Sequence, residues 1–400
     1  MVTKILFILK HREIPTGNGG GYSHSGFSSG LFNSASMIKE MLDLHGIGNK
    51  TIDARVVQVI DNNGIDKEVN LFRPDIVIIE AFWVVPEKFE VLTRLYPKIK
   101  WIIRGHSNIP FLASEGNAVS WASKYINYHN VFLATNTPSS LADLKDIILE
   151  RYSDHQDKRL EKKILYFPNF YVAYDITEEE TSDVFNPGLV ERVLHFLNFH
   201  VPKIHSHSRD NTVHIGCFGA VRLLKNHLIQ AVAALRYAKK HGKHLYFHIN
   251  STRIEGGGDP VIKNLRALFD AAHHATLIEH PWMPHDEFIK IIDKMHVAMQ
   301  VSFSETFNIV TADAVTMGVP VVVSKEIGWV GSKYQADPTN ANDIVAKLEE
   351  ALRDAECGEH NLINQAGLNA YNKRSHAAIS NTLLSVLEIS DHHHHHPKLH

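Results

Sequence analysis

The stretch Ser302-Phe303-Ser304-Glu305-Thr306-Phe307-Asn308-Ile309-Val310-Thr311-Ala312-Asp313-Ala314-Val315-Thr316-Met317-Gly318-Val319-Pro320-Val321-Val322 carries the decisive reading. An apolar run at 296–301 reads as a strand and ends in a polar loop that holds Glu305. A helix is predicted to start near Asn308; Gly318 closes it, and Pro320 opens the next apolar strand. Strand, helix and strand in so short a span form the repeating unit of a parallel sheet. The first amides of that helix, about Asn308 to Val310, lack intrahelical partners and can hold an anion such as a diphosphate. Glu305 stands just before the helix and Asp313 one to two turns inside it, so both carboxylates can reach hydroxyls of one ligand.

The same alternation extends in both directions. Further strands are predicted at 213–218, 244–250, 275–279 and 319–323, with helices at 223–241, 260–272, 285–294, 309–317 and 341–354. In the first half, Ile5 to Leu9 reads as a strand buried on both faces, followed by strands at 75–80, 100–104 and 131–135. A helical pattern of Phe27, Leu31, Ala35, Ile38 and Leu42 follows the first strand, and 86–96 has room for another helix. Between 168 and 211 the pattern weakens into Pro168, an acidic run, Pro187, Pro202 and a His/Ser stretch, with one helix at 189–199. The expected organisation is a Rossmann-like domain at 1–170, a linker region at 171–211 and a second Rossmann-like domain at 212–375. A C-terminal helix at 376–391 and a His-rich tail at 392–400 complete it. Two such α/β halves are expected to face a cleft at the carboxyl ends of their strands, where this architecture binds ligands.

Composition narrows the class. The 400 residues are 44% hydrophobic and 21% charged, the balance of a soluble globular protein rather than a disordered one. Lys plus Arg number 41 against 44 Asp plus Glu, so no global basic excess advertises a nucleic-acid binder. Two cysteines, Cys217 and Cys357, make neither a disulfide framework nor a Cys-rich zinc site, and a reducing compartment is expected. No apolar run approaches the ~20 residues of a membrane helix, so a cytoplasmic protein without an integral membrane segment is the expectation. The run His392 to His396 contributes five of the 28 histidines, and a native or a tag-derived origin of this tail stays open.

Four other segments carry chemistry. Gly216-Cys217-Phe218-Gly219-Ala220-Val221-Arg222-Leu223-Leu224-Lys225-Asn226-His227 follows the first strand of the second half. Cations at a helix start are unfavourable unless an anion joins them, so Arg222 and Lys225 are candidate phosphate ligands. Gly17-Asn18-Gly19-Gly20-Gly21-Tyr22 allows close backbone approach to a ligand, although it lacks the Gly-x-Gly-x-x-Gly spacing of a dinucleotide site. Arg104-Gly105-His106-Ser107 ends a strand at the ligand-binding edge, and Trp282 in His280-Pro281-Trp282-Met283-Pro284-His285 offers a stacking face for a base or a core side chain. Gly256-Gly257-Gly258 reads equally as a mobile flap or a turn.

Taken together, these segments resemble the retaining glycosyltransferases of the GT-B fold, particularly family 4. Glu305 and Asp313 stand in the Glu-x7-Glu signature, with Asp313 one methylene shorter. The Gly219-to-Lys225 segment is similar to the family's Gly-Arg-x-x-x-x-Lys element with closer spacing, and Pro168-Asn169 to the Pro-Asn that opens its interdomain linker. The resemblance covers roughly 1–375 and implies a GT-B architecture of two Rossmann-like domains facing a cleft, with C-terminal helices packing back on the first domain. It implies His106, Arg222, Lys225 and Glu305 as catalytic residues. Gly19, Gly20, Gly21, Trp282, Phe307, Asn308, Ile309, Val310 and Asp313 become donor-binding positions, with Asp313 on the ribose, and Ser107, Asn108 and Glu115 face the acceptor. Ser29 to Ala35, Asp61-Asn62-Asn63, Ile79 to Pro86 and His106 to Gly116 are similar to glycosyltransferase-like proteins of tailed bacteriophages. That similarity implies hydroxymethylated DNA pyrimidine as an acceptor and the host cytoplasm as the location, against which the near-neutral charge weighs.

The expected activity is transfer of a sugar from a nucleotide-sugar donor to an acceptor with retention. No Asp-x-Asp triplet occurs, so a metal-independent reaction with no cofactor beyond the donor is expected. A sugar-nucleotide 2-epimerase and a non-catalytic nucleotide-sugar binding protein remain as alternatives; the missing dinucleotide fingerprint counts against a dehydrogenase.

Overall fold

Runs of Val, Ile and Phe form the strands, because a parallel sheet covered on both faces needs apolar side chains in both directions. The computed structural model describes residues 1–11, 14–15, 22–23, 29–151, 158–173, 211–252 and 254–389. The chain divides into two units. The first comprises Met1–Arg12, Phe27–Tyr171 and Asn372–His400, and the second Glu13–Gly26 and Val172–Tyr371.

The first unit is a six-stranded sheet. Its first strand is β1 (Val2–Lys10); the short antiparallel ladder of β2 (Ile14–Pro15) with β3 (Tyr22–Ser23), next along the chain, is assigned to the second unit. The sheet continues with β4 (Thr51–Val59), β5 (Ile76–Glu80), β6 (Lys100–Gly105), β7 (Val131–Thr135) and β8 (Ile164–Tyr166), in the order β4-β1-β5-β6-β7-β8. Every neighbouring pair is parallel. Phe89 from the helix Lys88–Leu95 fills the layer above it, meeting Trp101 and Tyr125 edge-on at 5.7 Å each. Strands β4 and β8 were not expected. The buried positions of β4, Ile52, Ala54 and Val59, are separated by Asp53, Arg55 and Gln58, and β8 is three residues long, so neither presents an apolar run.

The second unit holds β9 (Thr212–Gly216), β10 (His244–Asn250), β11 (Ala275–His280), β12 (Val297–Gln300) and β13 (Val321–Val323) in the order β11-β10-β9-β12-β13, again all parallel. The single helix expected at 223–241 is two elements. A 3-10 turn, Leu223–Lys225, is separated from the helix His227–Lys240 by Asn226, which sits in the left-handed region at φ 62°.

The C-terminal helix runs Glu359–Leu387, starting well before the expected 376. The buried face of its first half carries His360, Asn361, Asn364, Gln365, Asn369 and Asn372 with Leu368 as the lone large apolar residue, which hides its period in the sequence; Ile379, Leu383 and Val386 are buried only further on. Three of these side chains bond loop backbone: His360 Nε2 lies 3.1 Å from Gly318 O, Asn364 Oδ1 accepts from Gly331 N at 3.0 Å, and Asn372 both accepts from Tyr171 N and donates to Tyr171 O. Gly367 is required because a Cβ there would lie 1.9 Å from Trp329 O. From Asn372 onward the helix belongs to the first unit, where Thr382 Oγ1 donates to Tyr166 O at 2.7 Å. The expected helix at 189–199, the His-rich tail and most of the linker lie outside the described residues.

Candidate functional site

Each unit gathers charged side chains at the carboxyl edge of its sheet. In the second unit two loops come together, one after β9 and one after β12. Phe303 N donates to Leu224 O at 2.8 Å, Asn226 Nδ2 donates to Val301 O at 3.0 Å, and Val301 N donates to Gln230 Oε1 at 2.8 Å. This lacing brings Lys225 and Glu305, eighty residues apart in sequence, into a direct ion pair in which Nζ donates to Oε1. Both side chains are nearly buried. Burial pushes the Glu305 carboxyl up, but Lys225 outweighs it and, helped by Arg222, holds the group below the usual carboxylate range. Gly219 lies against Lys225 at φ 106°, a conformation that glycine alone adopts without strain, and its N–H donates to Asn250 Oδ1 at 2.8 Å.

Arg222 stands one turn earlier with its guanidinium 3.5 Å from Glu255. Glu255 is carried by the triple-glycine loop, which backbone bonds tie to the Arg222 segment: Glu255 N donates to Val221 O and Leu223 N to Gly256 O. Of the two readings of that loop, its bonded turn describes what is seen. A Cβ on Gly258 would meet Val221 O at 2.1 Å, so the close approach depends on glycine.

The helix Ile309–Thr316 begins as expected, and Asn308 is its N-cap. Asn308 Oδ1 accepts from Thr311 N at 2.8 Å, while Nδ2 donates to Gln300 Oε1 at 2.9 Å. Its side chain is thus engaged in capping the helix and in bonding Gln300. Phe307 is likewise a core residue, its ring stacked on Trp329 at 5.5 Å and its carbonyl bonded to the Trp329 indole at 2.9 Å. Ile309 and Val310 are half-buried and contribute the amides without intrahelical acceptors. Asp313 is buried, and its Oδ1 bonds His285 Nε2 at 3.0 Å. Burial would lower the His285 pKa, but Asp313 outweighs it and raises it. The ribose role expected of Asp313 thus meets a carboxylate already engaged by a histidine. Trp282 is half-buried, with its N–H bonded to Thr252 Oγ1 at 2.8 Å.

In the first unit, β5 and β6 end side by side. Arg104 is fully buried and its Nη1 contacts both oxygens of Glu80, at 3.2 and 3.3 Å. His106 Nε2 bonds the second Glu80 oxygen, so the expected residue His106 belongs to a buried triad with Arg104 and Glu80. Burial pushes Glu80 up, but Arg104 and His106 outweigh it and hold it ionised. Ser107 Oγ donates to Glu115 Oε1 at 3.3 Å, while Asn108 Oδ1 accepts from Thr137 Oγ1 at 3.2 Å and opens the short helix Ile109–Leu112. Gly19, Gly20 and Gly21 lie outside the described residues.

Glu80, Glu255 and His285 escaped the sequence reading of the sites. Glu80 had a signal, a charge ending an otherwise apolar run; the pairings of Glu255 and His285 had none, because their partners are distant in sequence. Among the described residues, no group of three or more His, Cys, Asp or Glu side chains is placed to hold a metal ion, and no helix is long and apolar enough to cross a membrane.

No family model matches the chain, and no curated protein matches it by sequence. Solved structures do match. A UDP-forming α,α-trehalose-phosphate synthase from Burkholderia vietnamiensis aligns over 98% of this chain and 98% of its own, at 11% identity and a TM-score of 0.62. A sucrose-phosphate synthase from Thermosynechococcus elongatus covers 96% of this chain and 98% of its own, at 12% identity and 0.57. An E. coli trehalose-6-phosphate structure bound with UDP-2-fluoro glucose covers 96% and 99%, at 10% identity and 0.59. At such identities the likeness is one of fold. The chain has the GT-B type of α/β architecture, two Rossmann-like parallel sheets flanked by helices.

Proposed function

We propose that this protein is a glycosyltransferase that moves a sugar from a nucleotide-sugar donor to a hydroxyl-bearing acceptor with retention of configuration. The observation that carries the reading is the Lys225–Glu305 pair with Arg222 beside it, held by two laced loops at the carboxyl edge of the second sheet. Lys225 and Arg222 are the groups to take the charge that develops on a leaving diphosphate, helped by the Ile309 and Val310 amides. Glu305, kept ionised by Lys225, accepts hydrogen bonds from donor-sugar hydroxyls. The likeness of fold to synthases that form UDP adds support.

On this reading cations and amides replace a metal, and no cofactor beyond the donor is used. The acceptor implied by the bacteriophage resemblance, hydroxymethylated DNA, is one arm of the test.

The test is thermal shift and calorimetric titration of tag-free protein with nucleoside diphosphates and nucleotide sugars, repeated in Arg222→Ala. A ligand at a hundredfold excess over Kd stabilises the native state by about 2.7 kcal/mol. One nucleotide sugar should stabilise the wild type and not the variant. That donor is then offered with hydroxymethylated DNA and with simple sugars, with and without chelator. Binding that survives Arg222→Ala unchanged, or turnover abolished by chelator, would overturn the assignment of the cations.

A further inference from the structure

The triad in the first unit does more than neutralise a buried arginine. Every N–H of Arg104 has an acceptor: Nε donates to Phe167 O at 3.1 Å, and Nη2 to Pro168 O at 3.1 Å and Asn169 Oδ1 at 2.9 Å. Nη1 donates to Ser34 Oγ at 3.2 Å and to Glu80. Its five donors are thus committed inside the protein, and none is left for a ligand. Glu80 is pinned as firmly. Its carbonyl accepts from Trp83 Nε1 at 2.9 Å, and the next residue, Ala81, is held at φ 74° with its N–H on Arg104 O at 2.8 Å. A non-glycine residue in the left-handed region is costly, and such strain persists where surrounding contacts over-determine it.

His106 is the member of the triad that reaches the open side, its side chain 16% exposed. An ionised carboxylate only accepts hydrogen bonds, so the proton between Glu80 and His106 resides on Nε2. Burial, with Arg104 nearby, lowers the His106 pKa despite Glu80, so the ring is neutral near pH 7. Nδ1 then carries a lone pair, and among the described residues it has no hydrogen-bond partner.

We propose that Glu80 is a positioning residue that fixes His106 as the Nε2–H tautomer, so that Nδ1 accepts a hydrogen bond from a sugar hydroxyl. The proposal rests on the glycosyltransferase reading for its ligand, while the tautomer follows from the triad alone. A lone acceptor suits a hydroxyl and repels a phosphate oxygen, so this edge takes the sugar part of a ligand and not an anionic group.

The test is long-range 15N–1H correlation of 15N-histidine-labelled protein, with His106 assigned by its loss in His106→Asn. The wild type should show a protonated Nε2 and an unprotonated Nδ1. In Glu80→Gln the amide oxygen turns to Arg104 and the NH2 toward His106, so the tautomer should invert. A purely structural counter-ion would leave it unchanged. Should that variant fail to fold, Glu80→Asp keeps the charge beside Arg104 but withdraws its reach, and should leave the two tautomers averaged. An Nδ1–H or doubly protonated ring in the wild type, or a tautomer indifferent to both variants, overturns the proposal. The Nδ1 signal should move on titration with UDP-glucose and not with UDP; an equal response to both overturns the hydroxyl assignment. If neither probe binds, the glycosyltransferase reading is in difficulty while the tautomer still decides the role of Glu80.

Discussion

The two sheet edges use the same ingredients in opposite ways. In the first unit the cation, Arg104, is sealed, with its hydrogen bonds spent inside the protein; of the triad, His106 Nδ1 is the polar atom without a partner among the described residues. In the second unit Lys225 pairs with Glu305, and the partly exposed Arg222 lies at the limit of contact with Glu255. A guanidinium sealed by carbonyls is a structural part, because its charge is consumed. A lysine and an arginine placed together at a loop that a side chain only partly covers present charge that an incoming anion can meet. The contrast is one of chemistry: the first edge presents a neutral acceptor, the second a cluster of charge.

The comparison breaks most readily at Arg104. Arg104→Met would leave the buried Glu80 carboxylate without its cation and the Phe167 and Pro168 carbonyls without their Arg104 donors, and should cost about 3–5 kcal/mol in urea unfolding. Lys225→Met should cost less than Arg104→Met, since its pair is not fully sealed. Equal losses at the two sites would remove the distinction between the edges.

Function should respond the other way round. Under the proposed activity, Lys225→Ala or Arg222→Ala should slow transfer by ~10²-fold or more, the scale of losing one preorganised charge stabiliser. Wild-type turnover in either would remove these side chains from the mechanism. Gly219→Ala tests the loop that carries them; at φ 106° a side chain is strained, and a loss on the order of 1–3 kcal/mol is expected. A stable Gly219→Ala protein would mean that the loop relaxes, and its nucleotide affinity would then show how much positioning matters.

A smaller and pH-dependent effect sharpens the description of the second sheet. His214 Nδ1 and His248 Nε2 lie 2.9 Å apart, and His248 Nδ1 and His280 Nε2 2.8 Å, a ladder of imidazoles across three strands. Burial, then His280 and His214, push His248 down to about 3. The folded chain keeps His248 neutral while the unfolded chain protonates it, so its contribution is complete above pH ~6.5 and is lost as pH falls toward 3. The expected slope is about 1.4 kcal/mol per pH unit for one such group. Urea midpoints at pH 7 and pH 5 should differ less in His248→Phe than in the wild type. An unchanged difference would show that the ladder protonates without cost.

The legible parts of the molecule were those whose physics is local. Ile76 to Ile79 reads as a strand because four consecutive buried apolar residues have no better use, and Gly318 ends a helix because its φ of 76° suits glycine. The edge strand β4 and the amide-faced first half of the helix Glu359–Leu387 escape a reading by apolar period, because polar residues stand among their buried positions. Among site residues, the loop positions of Glu305, Arg222, Lys225 and His106 were visible from the strand ends beside them. The structural duties of Asn308 and Phe307 were not, because capping and stacking partners are chosen in three dimensions.

Sequence by itself determined the alternating strands and helices, the positions of glycine and proline that punctuate them, and the residues that stand at the strand ends. Those follow from side-chain volume, polarity and backbone freedom, which each residue carries wherever it is placed. Tertiary structure alone decided which charge meets which: Lys225 with Glu305, His285 with Asp313, Arg104 and His106 with Glu80. A charge does not have a fixed role until burial removes its water and a distant loop supplies, or withholds, its partner.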